Sequence, residues 1–184
     1  YISYCFDVFC RKTKHKYVLG MDPSGNFEEG FGTTGWCIMD CDTLEVLECG
    51  EICAREFKSR PEYHQEHIRL LQRMRAKYKP LKVLSIEDYI LYPNRSKEQS
   101  LSKLETPRLL GVLEYWCMTA HMEYFTRPAV TAKKRWTDEI LIRKGILEQR
   151  GNHLLAAGRV TCDHTRDAIR HATHFCVFEN GKGD

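Results

Sequence analysis

No apolar run in this 184-residue chain approaches the roughly 20 residues that a membrane helix needs. No Gly-, Pro- or Ser-rich stretch marks a domain linker, and no segment repeats, which excludes solenoid and bead-on-string architectures. Charge of one sign is also scarce: the formal net charge is only +3, so bulk electrostatics do not dictate a partner. Nothing resembles a secretory signal, because the basic residues near the start follow the short apolar stretch instead of preceding it. The nine cysteines are odd in number and include no CxxC knuckle. They argue against a disulfide framework. Cys37, Cys41, Cys49 and Cys53 form two Cys-x3-Cys pairs on adjoining strands and read as packed thiols in a reducing cytosol, not as zinc ligands.

What is present suits one globular domain. Hydrophobic residues make up 42% and charged residues 29%, enough apolar surface for a filled core at this length. Residues 1–16 differ in composition and read as an N-terminal extension outside the fold; residues 17–184 read as a single domain. Tyr17 to Met21 predicts a buried strand, broken by Pro23-Ser24-Gly25-Asn26. Thr33 to Asp40 and Leu44 to Ala54 predict two more strands in an antiparallel meander. Pro61 to Lys79 carries Ile68, Leu71, Met74 and Tyr78 at helical spacing and stops at Pro80. Leu81 to Ile86 predicts a buried fourth strand, and strand, helix, strand implies a parallel crossover. Thr106-Pro107 reads as a helix N-cap and first position, and Pro128 to Thr131 as a fifth strand. Thr137 to Leu147 and Asn152 to Ala157 predict short helices, and Asp163 to Phe178 a last one ended by Asn180-Gly181. The expected fold is α/β: a five-stranded mixed sheet, three strands antiparallel and two parallel, with helices on both faces.

Three acids stand out in that frame. Asp22 closes the first apolar run, Glu87 closes Val83-Leu84-Ser85-Ile86-Glu87, and Asp167 sits near the start of the last helix. Each alone reads as a strand or helix end. Together they place two carboxylates at the ends of neighbouring strands and a third above them, a set suited to divalent cations and phosphoryl chemistry. His164 lies three residues before Asp167, so the two share a helix face. It could bind metal or, with an unperturbed pKa near 6.5, protonate a departing oxygen. Asp163 fits a plain N-cap. His171 and His174 follow on nearly the same helix side; one of them could support a metal ligand, but both read first as packing or surface hydrogen-bonding residues. Asp88 points to the face opposite Glu87. Basic patches at Arg11 to Lys16, Lys77 to Lys82, Lys133 to Arg135 and Arg143-Lys144 are able to track phosphates.

These motifs resemble the ribonuclease H-like fold and, within it, the RuvC family of Holliday-junction resolvases. Leu19-Gly20-Met21-Asp22-Pro23-Ser24 with Thr33-Thr34-Gly35-Trp36 is similar to the family's opening strand and hairpin. Ile86-Glu87-Asp88-Tyr89 resembles its fourth-strand acid, and Asp163-His164-Thr165-Arg166-Asp167-Ala168 with His171-Ala172-Thr173-His174 its closing helix. The loop from Asn26 to Gly32 is longer than the family's glycine turn, and His164 stands where a second Asp is common. The divergence resembles the phage-encoded branch, which implies a bacterial host cytoplasm.

The resemblance implies a Mg2+-dependent, structure-selective endonuclease with two ions per site, for which Mn2+ substitutes. It assigns Asp22 as bridging ligand, with Glu87, Asp167 and either His164 or Asp163 completing the shells. It assigns base stacking to Tyr89 or Tyr92, and phosphate contacts to Lys133, Lys134 and Arg135, with Lys97 and Lys103 as weaker candidates. It implies branched DNA as the partner (four-way junctions, and also forks and flaps) and a C2 homodimer that supplies two symmetric cuts. Two other readings stand beside it: a non-cleaving branched-DNA binding protein, and a ribonuclease H-type enzyme acting on RNA–DNA hybrids.

Overall fold

The computed structural model describes residues 14–90 and 104–181. Its main sheet has five strands: β1 (Tyr17–Asp22), β2 (Thr33–Asp40), β3 (Val46–Cys53), β4 (Leu81–Asp88) and β5 (Glu123–Pro128). Their spatial order is β3-β2-β1-β4-β5. The pairs β1/β2 and β2/β3 are antiparallel, and β1/β4 and β4/β5 are parallel. This is the mixed ribonuclease H-like sheet that the sequence predicts. β1 is central, and five of its six residues are buried. That is why it reads as a continuous apolar run, not an alternating one.

Helices cover both faces. α1 (Arg60–Lys77) starts at Ser59, whose side chain accepts from Glu62 N, with Pro61 in the first turn. It buries Tyr63, His67, Leu70, Leu71 and Met74 and packs with α2 (Glu105–Thr119) over Leu19, Met21, Ile38 and Ile86. The other face carries α3 (Ala129–Arg135), α4 (Asp138–Arg143) and α5 (Asp163–His174). There Ala168, Ile169 and Ala172 pack on Val18, Cys37 and Met39. α5 continues as a π-helical turn over Phe175–Glu179. Cys37, Cys41, Cys49 and Cys176 are buried within this second layer. Among the described residues no helix is long and apolar enough to cross a membrane.

Two glycines let α5 lie close to the sheet. A Cβ on Gly20 would come within 2.3 Å of Ala168 O, and one on Gly35 within 2.1 Å of the His164 carbonyl carbon. No side chain fits at either distance, so the helix that carries Asp167 is seated directly on β1 and β2.

The local reading needs five corrections. The fifth strand is Glu123–Pro128, not 128–131, which begins a helix. It is an edge strand carrying Glu123 and Arg127, so it lacks the apolar run that marks the central strands. The segment expected as a helix at 152–157 is strand β7 (His153–Ala156), between β6 (Glu148–Arg150) and β8 (Arg159–Val160) in a small antiparallel sheet. Two-residue turns join them, with positive φ at Gly151 (57°), Ala157 (48°) and Gly158 (73°). Thr106 does not cap α2. The cap position is Leu104, and Thr106 Oγ1 instead accepts from Gly25 N at 3.1 Å. Asp163 does not cap α5 either: the Cys162 side chain accepts from Thr165 N. Residues 14–16, assigned by composition to the extension, lie against the fold at His15. Its N–H donates to Asn180 Oδ1 at 2.8 Å, and Asn180 Nδ2 donates to the His15 carbonyl at 2.7 Å.

Candidate metal centre

The parallel register of β1 and β4 pairs Met21 with Ile86, so Asp22 and Glu87 leave neighbouring strands side by side. α5 crosses above them with Asp167 on its underside. One carboxylate oxygen from each of Asp22, Glu87 and Asp167 lies within 4.8 Å of the others. Asp22 is 7% exposed and Asp167 8%, so their charges are poorly hydrated and each must be matched nearby.

Each acid has a basic partner. His164 Nδ1 lies 2.7 Å from Asp22 Oδ2. Glu87 Oε2 lies 3.3 Å from Nε2 of the fully buried His171. Asp167 accepts from Arg170 Nη1 and, at 2.8 Å, from Lys133 Nζ. Lys133 also reaches Glu87 Oε2 at 3.7 Å. Arg170 is fixed in turn by Asp138 and by the Trp136 carbonyl, which it meets at 2.8 Å.

The titration behaviour follows from this packing. Burial raises the Asp22 pKa above the ordinary carboxylate value; the hydrogen bond from His164 opposes the rise, and the charges of Glu87 and Asp167 reinforce it. The Asp22 hydrogen bond raises His164 above its usual value, against burial. Burial acts to lower Lys133, but its bond to Asp167 and the charges of Glu87, Asp167 and Asp22 outweigh it and raise its pKa. Three hard oxygen donors with an ammonium lodged against two of them form a set that fits a hard divalent cation.

No protein-family model matches the chain, and no curated protein matches it in sequence. A solved structure does match: Thermus thermophilus RuvC in complex with a Holliday junction substrate, at a TM-score of 0.64 and 14% identity. The match covers 88% of this chain and 94% of that one. The chain has the RuvC fold. A Cytophaga hutchinsonii protein described as a sugar kinase is also similar, at a TM-score of 0.38 and 10% identity over 79% of this chain and 49% of that one. That likeness carries no argument.

On the RuvC fold, the predicted residues divide. Asp22, Glu87, Asp167 and His164 come together. Asp163 does not: its side chain is 86% exposed and pairs with Arg166. Lys133, expected as a surface phosphate contact, bonds Asp167 and reaches Glu87 from the rim of the acid cluster. Lys134 is exposed, and Arg135 stacks over the Phe178 ring at 4.3 Å. Tyr89 follows β4 and is half-buried. Tyr92, Lys97 and Lys103 lie outside the described residues. The sequence reading missed Arg170, and for His171 it favoured packing over the service to Glu87 that the structure shows. The signal was available: 164, 167 and 171 recur at helical spacing, and 170 follows 167 by three. Arg127 was also missed. It is 7% exposed and donates to Ser85 Oγ at 3.0 Å and to the His171 carbonyl at 3.1 Å, buttressing the same helix.

Proposed function

We propose that the protein is a divalent-metal-dependent, structure-selective endonuclease that cuts four-way junctions and related branched DNA by paired nicks. The observation that carries this reading is the three-carboxylate cluster within 4.8 Å on a RuvC fold. A pure binding protein gains nothing from buried acids beside phosphate. Asp22, Glu87 and Asp167 would hold two Mg2+ ions, or Mn2+ in their place. The ions, when bound, supply Lewis-acid polarisation of the scissile phosphate and activation of water.

The chain's own residues do the rest. Asp22, with a carboxylate oxygen within 4.8 Å of both other acids, would serve as the shared ligand. Lys133, with its ammonium at the rim of the cluster, neutralises a non-bridging phosphate oxygen. The bond to Asp22 raises the His164 pKa and so favours its protonated form, which suits it to protonate the departing oxygen. Lys134 extends the phosphate contacts, and Tyr89 or Tyr92 stacks on an unpaired base at the branch. Two symmetric cuts call for a C2 homodimer, and α2 carries the exposed Tyr115 and Met118 for part of its interface. A phage source and a bacterial cytoplasm complete the reading.

The test is cleavage of a labelled immobile four-way junction, beside linear duplex and RNA–DNA hybrid of the same sequence. Paired nicks that need Mg2+ and spare both linear substrates are expected. Asp22→Asn should bind the junction and leave it uncut. Equal cutting by that variant would sink the assignment. Binding without nicks in Mg2+ or Mn2+ points to an architectural protein, and preferred cutting of the hybrid to a ribonuclease H-type enzyme.

A further inference from the structure

We propose that a groove between β3 and the start of α5, headed by Phe31, binds one unpaired nucleotide next to the acid cluster. This rests on the nuclease reading and adds a subsite to it. Phe31 is 79% exposed, although large aromatic side chains are usually drawn inward. The loop that presents it is built, not loose. Gly30 N donates to the Phe27 carbonyl at 2.9 Å, and Gly32 N to the Asn26 carbonyl at 2.8 Å. Glu105 then ties the loop to α2, accepting from Phe27 N at 2.9 Å. Gly30, at φ 71°, makes the turn that holds the ring outward. This is the loop whose length departs from the family's glycine turn.

Phe31 lines a cavity of about 290 Å³, and a second of about 300 Å³ adjoins it through Glu51, Cys53 and Arg55. The first is also lined by His164, which is hydrogen-bonded to Asp22, so the groove opens at the acid cluster. The second ends at Arg159, whose Nη1 is fixed on the Cys49 carbonyl at 3.3 Å. Each cavity matches the lower bound for a small-ligand pocket, about 300 Å³.

The chemistry selects the occupant. An exposed aromatic ring offers a stacking face, and a base offers its own face only once it has left the duplex. Arg55 and Arg159 suit the flanking phosphates. Glu51 and Glu56 interrupt them, so the wall is not the uniformly basic track that duplex binding uses. A carboxylate there instead accepts from a base's exocyclic amine. Glu51 Oε1 already takes one such bond from Thr165 Oγ1, at 3.4 Å.

The probes are a four-way junction and a short single strand, each carrying 2-aminopurine, bound to Asp22→Asn protein so that no cutting intervenes. Phe31 should quench the fluorophore at one position beside the branch. Phe31→Ala should remove that quenching and weaken binding of both probes by about 5- to 150-fold, the range for loss of one stacked base. Phe31→Trp should restore both, and linear duplex binding should not change. Because Phe31 is exposed, the melting temperature of each variant should match the parent and exclude misfolding. Equal quenching and affinity in Phe31→Ala would overturn the proposal. The single strand separates it from the nuclease reading: quenching there that depends on Phe31 keeps the groove even if wild type leaves the junction uncut. No quenching of either probe overturns it.

Discussion

Asp22→Asn should make the metal-free protein more stable while removing its response to Mg2+. The Asp22 pKa is raised by burial and by Glu87 and Asp167. An acid whose folded pKa lies above its unfolded value costs the fold stability once pH exceeds the unfolded value, and the cost is complete above the folded value. At neutral pH, therefore, Asp22 opposes folding. Two like charges no more than 4.8 Å apart repel by about 3–4 kcal/mol at an effective dielectric of about 20. Asp22 has two such neighbours. A protonated His164 at 2.7 Å returns about 6 kcal/mol on the same scale. The remainder, with desolvation, leaves a net cost of about 1–2 kcal/mol, which Asn avoids while keeping a hydrogen-bonding oxygen for His164. For a chain of this length that corresponds to a rise of about 2–8 °C in Tm. The assay is scanning calorimetry in EDTA and again with Mg2+. Wild type should gain about 1.4 kcal/mol at roughly tenfold excess over Kd, and the variant almost nothing. A variant that melts lower than wild type in EDTA and still gains from Mg2+ would refute the reasoning. Asp22 would then be a structural keystone and not a strained ligand.

Three further outcomes follow from residues other than the three acids. His67 is fully buried. Its Nδ1 donates to the Tyr63 carbonyl at 2.7 Å, so its Nε2 accepts from Thr34 Oγ1 at 2.9 Å, and burial lowers its pKa to about 4. Between pH 6.5 and 4 the unfolded chain binds the extra proton, so stability should fall as pH drops through that window, by roughly 3 kcal/mol at most from this group. Urea titrations at pH 7 and 4.5 measure the fall, and an equal fall in His67→Asn would assign it elsewhere. Gly35→Ala should destabilise by about 1–3 kcal/mol and abolish the Mg2+ response. Its Cβ meets His164 backbone atoms, which must carry His164 and Asp167 away from Asp22. Gly111→Ala is the contrast: nothing lies within 4 Å in mid-helix α2, so it should stabilise by roughly 0.5–1 kcal/mol.

The acids were legible because burial writes itself into sequence. β1 and β4 are flanked on both sides and covered on both faces, so they must be apolar throughout, and a carboxylate at the end of such a run is conspicuous. β5 is flanked on one side only, tolerates Glu123 and Arg127, and so hides from the same test. The small sheet was missed for another reason. His153 to Ala156 is too short to show a period, and its evidence lies in the turns, where Gly151, Ala157 and Gly158 supply the left-handed backbone that two-residue hairpins require. Gly20 and Gly35 were quoted within motifs without their purpose being visible. Only the approach of α5 reveals what a side chain there would strike.

The partners of the acids were less legible, because they come from distant parts of the chain, and they differ in a way that bears on function. Arg170 is pinned by Asp167, Asp138 and the Trp136 carbonyl, its side chain is 14% exposed, and a guanidinium does not give up its charge. It holds Asp167 in one orientation whether or not a cation is bound. Lys133 is 44% exposed, on a flexible stem at the rim, and bonds the same carboxylate. A cation entering the cluster competes with Lys133 for Asp167 and Glu87, and the displaced ammonium has solvent, or a phosphate oxygen, to go to. The cluster therefore has one basic group that fixes geometry and one that yields. Such a site can stay folded without metal and still bind it, because the charge needed for stability is movable and the charge needed for orientation is not.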